Sequence, residues 1–188
     1  MEKTTAPLTT PFAGSLARLD VLEHRLCVAF NQTSRREAVR LFFRIVSRLG
    51  DGVFWYLLMI VFMMQGQTGR LAAAQMGATA LVGVIIYKLL KGRLVRERPF
   101  ISHRDICCGC PPLDRYSFPS GHTLQAVLFT TVALAWFPTL AVLLLPFTVL
   151  VALSRMVLGL HYPTDVICGA AIGFGLAHAA LALWPPLV

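Results

Sequence analysis

Long apolar blocks dominate the chain from residue 53 onward, and most of the charged residues there fall in the short stretches between them. The blocks cover residues 53–64, 71–90, 123–137, 139–153 and 164–184. The first block is shorter than the roughly 20 residues that a spanning helix needs, so it must extend beyond its apolar stretch or cross obliquely. The pattern predicts an all-α, polytopic membrane helix bundle with about five spanning helices.

A different pattern marks residues 35–49, where the apolar residues fall on one face of a helix. Arginines recur at every fourth position on the opposite side, at positions 36, 40, 44 and 48. An amphipathic helix of this kind favours the membrane interface, with its arginines toward anionic headgroups. The alternative is a helix that packs against the domain and exposes a solvated basic face.

The region before this helix is more polar. Residues 1–15 predict an irregular tail, and residues 16–31 mix apolar with charged side chains and are too polar to span lipid. We therefore divide the chain into an N-terminal region, 1–50, with the tail and the amphipathic interfacial helix, and a transmembrane domain, 51–188.

The composition also points to a membrane protein, because 56% of the residues are hydrophobic and only 14% are charged. A soluble domain usually carries about a quarter charged residues. An ordinary water-soluble globule and a disordered chain are therefore excluded. The formal net charge of +8 suits nucleic acid, anionic lipid headgroups or a phosphorylated substrate. Nucleic acid is disfavoured, because the basic residues flank apolar segments and form no separate soluble module.

Three short segments are too polar for their surroundings, and each lies at an end of an apolar block. They cover residues 91–99, 119–122 and 154–165. Successive spanning helices alternate in direction, so the end of the second block, the start of the third and the junction of the last two lie on one side of the membrane. Polar groups that are distant in sequence therefore converge there.

Basic residues in these segments can grip phosphate oxygens. Lys91 and Arg98 are seven residues apart, about two helical turns, so a continuous helix presents both on one face. Arginine offers a planar fork and lysine a point charge, and Arg155 supplies a third cation. For Lys91 taken alone, a basic residue that snorkels at a helix end is the better interpretation.

A candidate anion site and two histidines complete this chemistry. Ser120 is a candidate N-cap, and Gly121 lets backbone N–H groups approach an anion at the helix N-terminus. His122 can hold a transferable proton near neutral pH, although a capped helix with an incidental histidine is the alternative. Asp165 lies within reach of His161, and a carboxylate that fixes the imidazole tautomer is what a nucleophilic histidine needs. A structural His–Asp capping pair explains these two residues but not the whole set.

The three segments resemble the signature of the type 2 phosphatidic acid phosphatase (PAP2) superfamily, which is shared with vanadium haloperoxidases. The signature reads K-x6-RP, PSGH and SR-x5-H-x3-D. Its eleven fixed identities occur here in order and at the family spacing, starting at Lys91, Pro119 and Ser154. The resemblance covers most of residues 52–184.

The resemblance implies a role for each matching residue. His161 attacks phosphorus and forms a phosphohistidine, Asp165 orients His161, and His122 protonates the leaving oxygen and then activates water. The residues implied to hold the phosphoryl oxygens are Lys91, Arg98, Ser120, Gly121 and Arg155. Fixed cations stand where phosphoryl-transfer sites often hold Mg²⁺, so neither a metal nor a cofactor is implied.

We expect the protein to dephosphorylate a membrane lipid phosphate. Candidate substrates are phosphatidate, phosphatidylglycerol phosphate and an isoprenyl phosphate or diphosphate. The alternatives are a lipid phosphotransferase with the same site and a non-catalytic membrane transporter or scaffold; a haloperoxidase is disfavoured because family members with that chemistry are soluble. The expected partners are the lipid substrate and membrane lipids, with no nucleic acid, and the oligomeric state stays open.

We expect an integral protein of a bacterial inner (plasma) membrane. With five spans, the N-terminal region and the polar segments share one side, and the other side shows Arg70 alone. The positive-inside rule then places the active site in the cytoplasm, although bacterial relatives in the resembling family that work on the outer face argue against this. A cytoplasmic loop would keep the thiols of Cys107, Cys108 and Cys110 reduced. Zinc binding by these cysteines and His103 is a weak match to known ligand spacings.

Overall fold

The computed structural model describes residues 11–112 and 114–186, with residues 11–17 described as backbone only. Its helices are α1 (Pro11–Thr33), α2 (Glu37–Arg48), α3 (Phe54–Met63), α4 (Gly66–Arg93), α5 (Pro99–Ser102), α6 (Gly121–Trp136), α7 (Ala141–Val157) and α8 (Pro163–Leu183). A π-helical turn, Leu49–Val53, joins α2 to α3, and a 3₁₀ turn, Pro138–Leu140, precedes α7. The described residues form no β-strand, and the predicted all-α class is confirmed.

Within the described part of the chain, four helical runs are long and apolar enough to cross a membrane. They are Glu37–Met63, Gly66–Arg93, Pro138–Val157 and Pro163–Leu183. The remaining predicted block forms α6, which lies among α4, α7 and α8. At 1.5 Å per residue α6 extends about 24 Å, which is shorter than a hydrocarbon core of ~30 Å. Four long helical runs around the shorter helix α6 agree with the prediction of about five spans.

A kink extends the first apolar block. Helix α3 has only 10 residues, but the π-helical turn continues it into α2, so the helical run covers Glu37–Met63. The kink requires Gly52, whose φ of 122° lies in the left-handed region that favours glycine. A Cβ atom there would lie 2.7 Å from the ring of Tyr56. The sequence allows the short block either to extend beyond its apolar stretch or to cross obliquely, and the structure shows extension.

The two N-terminal helices, α1 and α2, test the predictions made for residues 1–50. Helix α2 matches the predicted amphipathic helix, and its apolar residues Leu41, Phe42 and Ile45 are about half exposed. Its other side packs on α7, where Val46 and Ser47 are buried. Helix α2 therefore docks on the domain and also leaves an apolar face that favours contact with lipid. Helix α1 begins at Pro11, so the prediction of an irregular tail is wrong for residues 11–15, and residues 1–10 lie outside the described part.

Small residues bring α8 against α6. A Cβ atom on Gly169 or Gly173 would run into the backbone carbonyls of Ser120 and Leu124, respectively. The two glycines form the G-x-x-x-G spacing that lets helices approach closely in membranes. This contact matters for the site, because it fixes the start of α8 beside the start of α6.

Candidate active site

The three polar segments meet at one end of the bundle, and their side chains are almost fully buried. Lys91 lies in the last turn of α4 and Arg155 in the last turn of α7. Arg98 precedes α5, and Asp165 lies in the first turn of α8. The buried residues are Lys91, Arg98, Ser120, Arg155, His161 and Asp165. Backbone contacts tie the segments together, since the Ser120 N–H donates to the Asp165 carbonyl at 3.0 Å. The structure therefore brings together residues that lie up to 74 positions apart, from Lys91 to Asp165.

His161 lies between Asp165 and a cation. Its Nδ1 atom is 3.6 Å from Asp165 Oδ2, and its Nε2 atom is 3.2 Å from an Arg98 guanidinium nitrogen. Burial, followed by the positive charge of Arg155, holds the pKa of the His161 imidazole well below its ordinary value. The ring is therefore neutral, with one nitrogen facing a carboxylate and the other facing the phosphate-binding candidates.

Asp165 also caps α8. Its Oδ2 atom accepts a hydrogen bond from the Tyr162 N–H at 2.9 Å, and Pro163 occupies the first turn of the helix. Asp165 therefore caps the helix through the Tyr162 N–H and not in a hydrogen-bonded pair with His161, although the same carboxylate also faces His161. One residue serves both contacts because the i, i+4 spacing folds the loop back on the helix start.

Two residues outside the motifs hold Asp165. The Arg96 guanidinium donates to Asp165 Oδ1 at 2.9 Å and to Glu23 Oε2 at 2.6 Å. Glu23 reaches the site from α1 and also accepts from the Thr164 N–H at 3.0 Å. No fixed position of the three motifs falls on Arg96, and the structure pairs it inside this network. No motif marks Glu23, whose partners are more than 70 residues away.

An unforeseen carboxylate occupies the cation cluster. Asp114 lies 2.7 Å from Lys91 Nζ and 2.9 Å from an Arg98 guanidinium nitrogen, and it accepts from the Tyr87 hydroxyl at 2.7 Å. Burial raises the pKa of Asp114, but the hydrogen bonds from Lys91 and Tyr87 outweigh burial and bring this pKa below its ordinary value. An ionised carboxylate therefore sits where phosphate oxygens would be expected.

The start of α6 differs in detail from its predicted form. Ser120 occupies the N-cap position, but its side chain makes no bond to a helix N–H; its hydroxyl lies 2.9 Å from the Thr123 hydroxyl instead. Gly121 allows a close approach, because a Cβ atom there would lie 2.8 Å from the Tyr87 ring. Ser120 is thus the N-cap residue, as predicted, but its hydroxyl pairs with Thr123 rather than with a helix N–H.

His122 faces a second carboxylate, which sequence reasoning missed. Its Nε2 atom is 3.4 Å from Asp51 Oδ1, and both residues line a cavity of about 430 Å³. Asp51 belongs to the π-helical turn between α2 and α3. The Gly50-Asp51-Gly52 sequence, a turn signal inside a helical pattern, could have indicated that the chain bends there.

A family model for the PAP2 superfamily matches residues 72–187. The chain belongs to the PAP2 superfamily. It is 35% identical over 131 residues to the decaprenylphosphoryl-5-phosphoribose phosphatase of Mycolicibacterium smegmatis. This match covers 67% of this chain and 68% of that protein. It is 27% identical over 161 residues to a lipid A 1-phosphatase of Rhizobium etli, which covers 75% of this chain and 69% of that protein.

Two solved PAP2 structures share the fold. The crystal structure of Aquifex aeolicus LpxE matches with a TM-score of 0.74 and 25% identity, over 84% of this chain and 93% of that one. The first transmembrane PAP2-type phosphatidylglycerolphosphate phosphatase from Bacillus subtilis matches with a TM-score of 0.66 and 20% identity, over 88% of this chain and 86% of that one. This PAP2 protein is a membrane enzyme that hydrolyses lipid phosphates, as the sequence predicts.

The zinc ligands considered for this PAP2 phosphatase do not come together. Among the described residues, His103 lies beside His24 and Asp105 rather than beside the cysteines, and the potential ligand atoms of these three residues are within 4.8 Å of one another. The imidazole of His103 stacks on that of His24 at 4.1 Å between ring centroids. Cys107 and Cys108 are exposed free thiols, which agrees with the preferred interpretation of loop thiols.

The PAP2 site opens into apolar clefts between α3, α4 and α6. The cavity beside His122 is lined away from the site by apolar side chains, among them Trp55, Met59, Leu81, Val84 and Phe129. A second cavity of about 450 Å³ shares Tyr56 and Met59 with the first and reaches Arg70 at the start of α4. The two clefts follow α3 from the polar end of the bundle to the opposite end.

Proposed function

We propose that this PAP2 phosphatase removes the phosphoryl group of a lipid through a covalent intermediate on His161. Nε2 of His161 attacks phosphorus, and the lipid oxygen leaves with a proton supplied by His122. His122 then takes a proton from water, which attacks the phosphohistidine, releases inorganic phosphate and restores His161. Asp165 orients the His161 ring throughout both steps. The proposal keeps the division of the chain into residues 1–50 and a transmembrane catalytic domain, 51–188.

The orientation of the His161 imidazole carries this proposal. Nδ1 faces Asp165 at 3.6 Å, whereas Nε2 faces Arg98 at 3.2 Å. With its proton on Nδ1, the ring presents the Nε2 lone pair to the Arg98 donor, and this lone pair becomes available to phosphorus once a phosphoryl oxygen takes that donor. The lowered pKa keeps the ring uncharged. A neutral, oriented imidazole beside fixed cations is suited to attack on phosphorus.

The cations around His161 hold the phosphoryl oxygens in this proposal. The proposed ligands are Lys91, Arg98 and Arg155, together with the Ser120 hydroxyl and the Gly121 amide. Phosphoryl transfer requires mainly positioning and stabilisation of the charge on the equatorial oxygens, and buried guanidinium groups supply both. Mg²⁺ prefers carboxylate oxygens, whereas this set of ligands is cationic, so we propose catalysis without a metal or another cofactor.

The apolar clefts support a substrate with a long hydrocarbon chain. A chain that leaves the site beside His122 would follow Met59 and Tyr56 along α3. The PAP2 relatives above are named for a decaprenylphosphoryl sugar phosphate and for lipid A, and the candidates for this chain are phosphatidate, phosphatidylglycerol phosphate and an isoprenyl phosphate or diphosphate. Only 21 residues separate Arg98 from Ser120, so selectivity must come from the pocket and the clefts rather than from a headgroup domain.

Phosphate release from defined lipids by the purified full-length protein in detergent tests this function. With a single lipid substrate and excess EDTA, we expect inorganic phosphate to be released, and we expect vanadate, which mimics the pentacoordinate phosphoryl group, to inhibit. Loss of activity in EDTA and its return with Mg²⁺ would contradict the metal-free mechanism. Transfer of the phosphoryl group to a second lipid without phosphate release would favour the phosphotransferase alternative, and full function in His161→Ala would favour a transporter or scaffold.

We also propose that the active site faces the cytoplasm of a bacterial inner membrane. The basic helix α2 supports this, because Arg44 donates to the Gly109 carbonyl and Arg48 pairs with Asp51 at 3.7 Å, both at the catalytic end. The pocket itself needs cations, but it does not need the arginines that face away from it on α2. Their number at one end of the bundle favours the cytoplasmic side by the positive-inside rule.

Cysteine labelling in intact cells tests the sidedness. Cys107 and Cys108 are exposed at the catalytic end, so a membrane-impermeant maleimide should fail to label them in intact cells and should label them after permeabilisation. Labelling of intact cells under reducing conditions would place the site on the outer face and contradict the proposal. Replacement of both residues by serine provides the matched background control.

A further inference from the structure

We propose that Asp51 is a positioning residue for His122, and that this second Asp–His pair tunes the proton transfers of the acid–base step. The inference rests on the proposed function, because it assumes that His122 gives a proton to the leaving lipid oxygen. It concerns a residue outside the three PAP2 segments, on the kink between α2 and α3.

The fold holds Asp51 against His122 by a strained turn. Asp51 Oδ1 lies 3.4 Å from His122 Nε2, although the two residues are 71 positions apart. Gly52 adopts a φ of 122°, and Gly50 packs so closely on α7 that a Cβ atom would lie 2.7 Å from Val151. A plain helix could not bend here, and the bend is what turns the Asp51 carboxylate toward the start of α6.

The charges around His122 make this carboxylate important. The His122 ring is 11% exposed, and the positive charges that act on it come from Arg155, Arg98 and Lys91. Each of these cations disfavours an imidazolium, which is the form that must exist before a proton can be given away. Among the described residues, Asp51 is the acidic side chain within 4.0 Å of a His122 ring nitrogen. Its negative charge offsets part of the repulsion.

The pair also fixes which nitrogen exchanges the proton. If Nε2 of His122 carries a hydrogen that Asp51 accepts, Nδ1 is the nitrogen that donates to the leaving lipid oxygen. In the second step the same Nδ1 takes a proton from the attacking water, and the proton count returns to its starting value. Without Asp51 the imidazole would lose both its orientation and the charge that supports its protonated form.

A pair of substrates with different leaving groups tests the proposal. An alkyl lipid phosphate has a poor leaving group that needs a proton, whereas p-nitrophenyl phosphate has a good one that does not. General acid–base assistance is worth about 10²–10⁴-fold, so for Asp51→Asn we expect about a tenfold loss of kcat/KM on the lipid. The loss of kcat/KM on the aryl phosphate, which reports phosphoenzyme formation without the later attack by water, should be much smaller. Asp51→Glu should recover part of the lipid activity.

Two controls isolate the contact between Asp51 and His122. Arg48→Gln removes the exposed cation that pairs with Asp51 at 3.7 Å but keeps Arg155, whose charge also acts on Asp51, and it should leave both activities unchanged. In a His122→Ala background, Asp51→Asn should have no further effect, because the two residues act as one unit. Equal losses on both substrates, or losses that multiply in the double variant, would overturn the proposal.

The outcomes for Asp51 and for the proposed function are distinguishable. If His122→Ala shows no dependence on the leaving group, the acid role of His122 fails, and the proposed function fails with it. If His122→Ala loses more activity on the lipid than on the aryl phosphate, but Asp51→Asn leaves both activities unchanged as Arg48→Gln does, only the role of Asp51 fails. Should Asp51→Asn not yield folded protein, Asp51→Glu carries the test: a selective loss on the lipid supports the proposal, and a uniform loss overturns it.

Discussion

The site contains two histidine–aspartate pairs whose surroundings differ sharply. Asp165 is fully buried, and Arg96 links it to Glu23 of α1. Asp51 has a side chain 28% exposed, and its cation Arg48 is 79% exposed. In the first pair both side chains are buried, whereas the second pair lines the wall of a cavity.

The difference matches what each histidine is proposed to do. A nucleophile has to stay neutral and keep one orientation, and burial beside cations provides both. An acid–base group has to change its protonation state twice in each cycle, and a nearby carboxylate supports its charged form. The comparison teaches that the same residue pair can serve either role, according to the burial and the charges around it.

The largest effect is expected when the buried pair loses its histidine. His161→Ala removes the attacking nitrogen, so hydrolysis should fall to background and no acid-labile phosphoenzyme should form with a ³²P-labelled lipid phosphate. His178→Ala is a matched control, because His178 is exposed and its Nδ1 atom lies 3.0 Å from the Phe174 carbonyl oxygen. Wild-type rates in His161→Ala would refute the nucleophile.

The pair at the cavity wall should give a smaller effect that depends on the leaving group. His122→Ala removes general acid–base assistance, so lipid hydrolysis should fall by about 10²–10⁴-fold. Because His161 is intact, a substrate with a good leaving group should still phosphorylate the enzyme, and the phosphoenzyme should decay slowly without a base to activate water. Rapid quenching and acid-lability assays measure its accumulation. Absence of phosphoenzyme with every substrate would contradict the division of labour.

The two pairs were not equally predictable from the sequence. Asp165 follows His161 by four residues, so the short loop that leads into α8 brings them together. Asp51 and His122 meet only because α3 packs beside α6 after a kink, and no local pattern records that contact. Glu23 and Asp114 were missed for the same reason, since their partners belong to other segments.

The bundle itself was readable because membrane-spanning helices need long apolar stretches. The convergence of the polar segments followed from the alternating direction of the spans. The start of α1 at Pro11 could not be read in the same way, because a mixed apolar and charged segment shows its structure only when it docks on the rest of the chain. Glu23, which Arg96 links to Asp165, comes from that docking.

The network around the buried pair can be broken at Arg96. Arg96→Gln leaves the Asp165 carboxylate buried without its cation, so the His161 ring should lose its fixed orientation. Misplacement of a reacting group by about 1 Å can cost about 10²-fold, and we expect kcat to fall by about 10- to 100-fold while KM changes little. Arg93→Gln, an exposed arginine three residues earlier, is the control. A change in KM alone would assign Arg96 to substrate binding instead.

The smallest effect is expected at the carboxylate that occupies the cation cluster. Asp114 contacts Lys91 and Arg98 at 2.7 and 2.9 Å, so an entering phosphate must share or displace it. Because Asp114 is one-third exposed, solvent screens the repulsion, and Asp114→Asn should tighten inhibition by vanadate only a few-fold. Glu97→Gln, which removes an exposed carboxylate paired with Arg115 at 3.0 Å, is the matched control and should leave the inhibition constant unchanged. Weaker inhibition in Asp114→Asn would mean that Asp114 orients the two cations for phosphate rather than competing with it, because a carboxylate that only competes can never help an anion to bind.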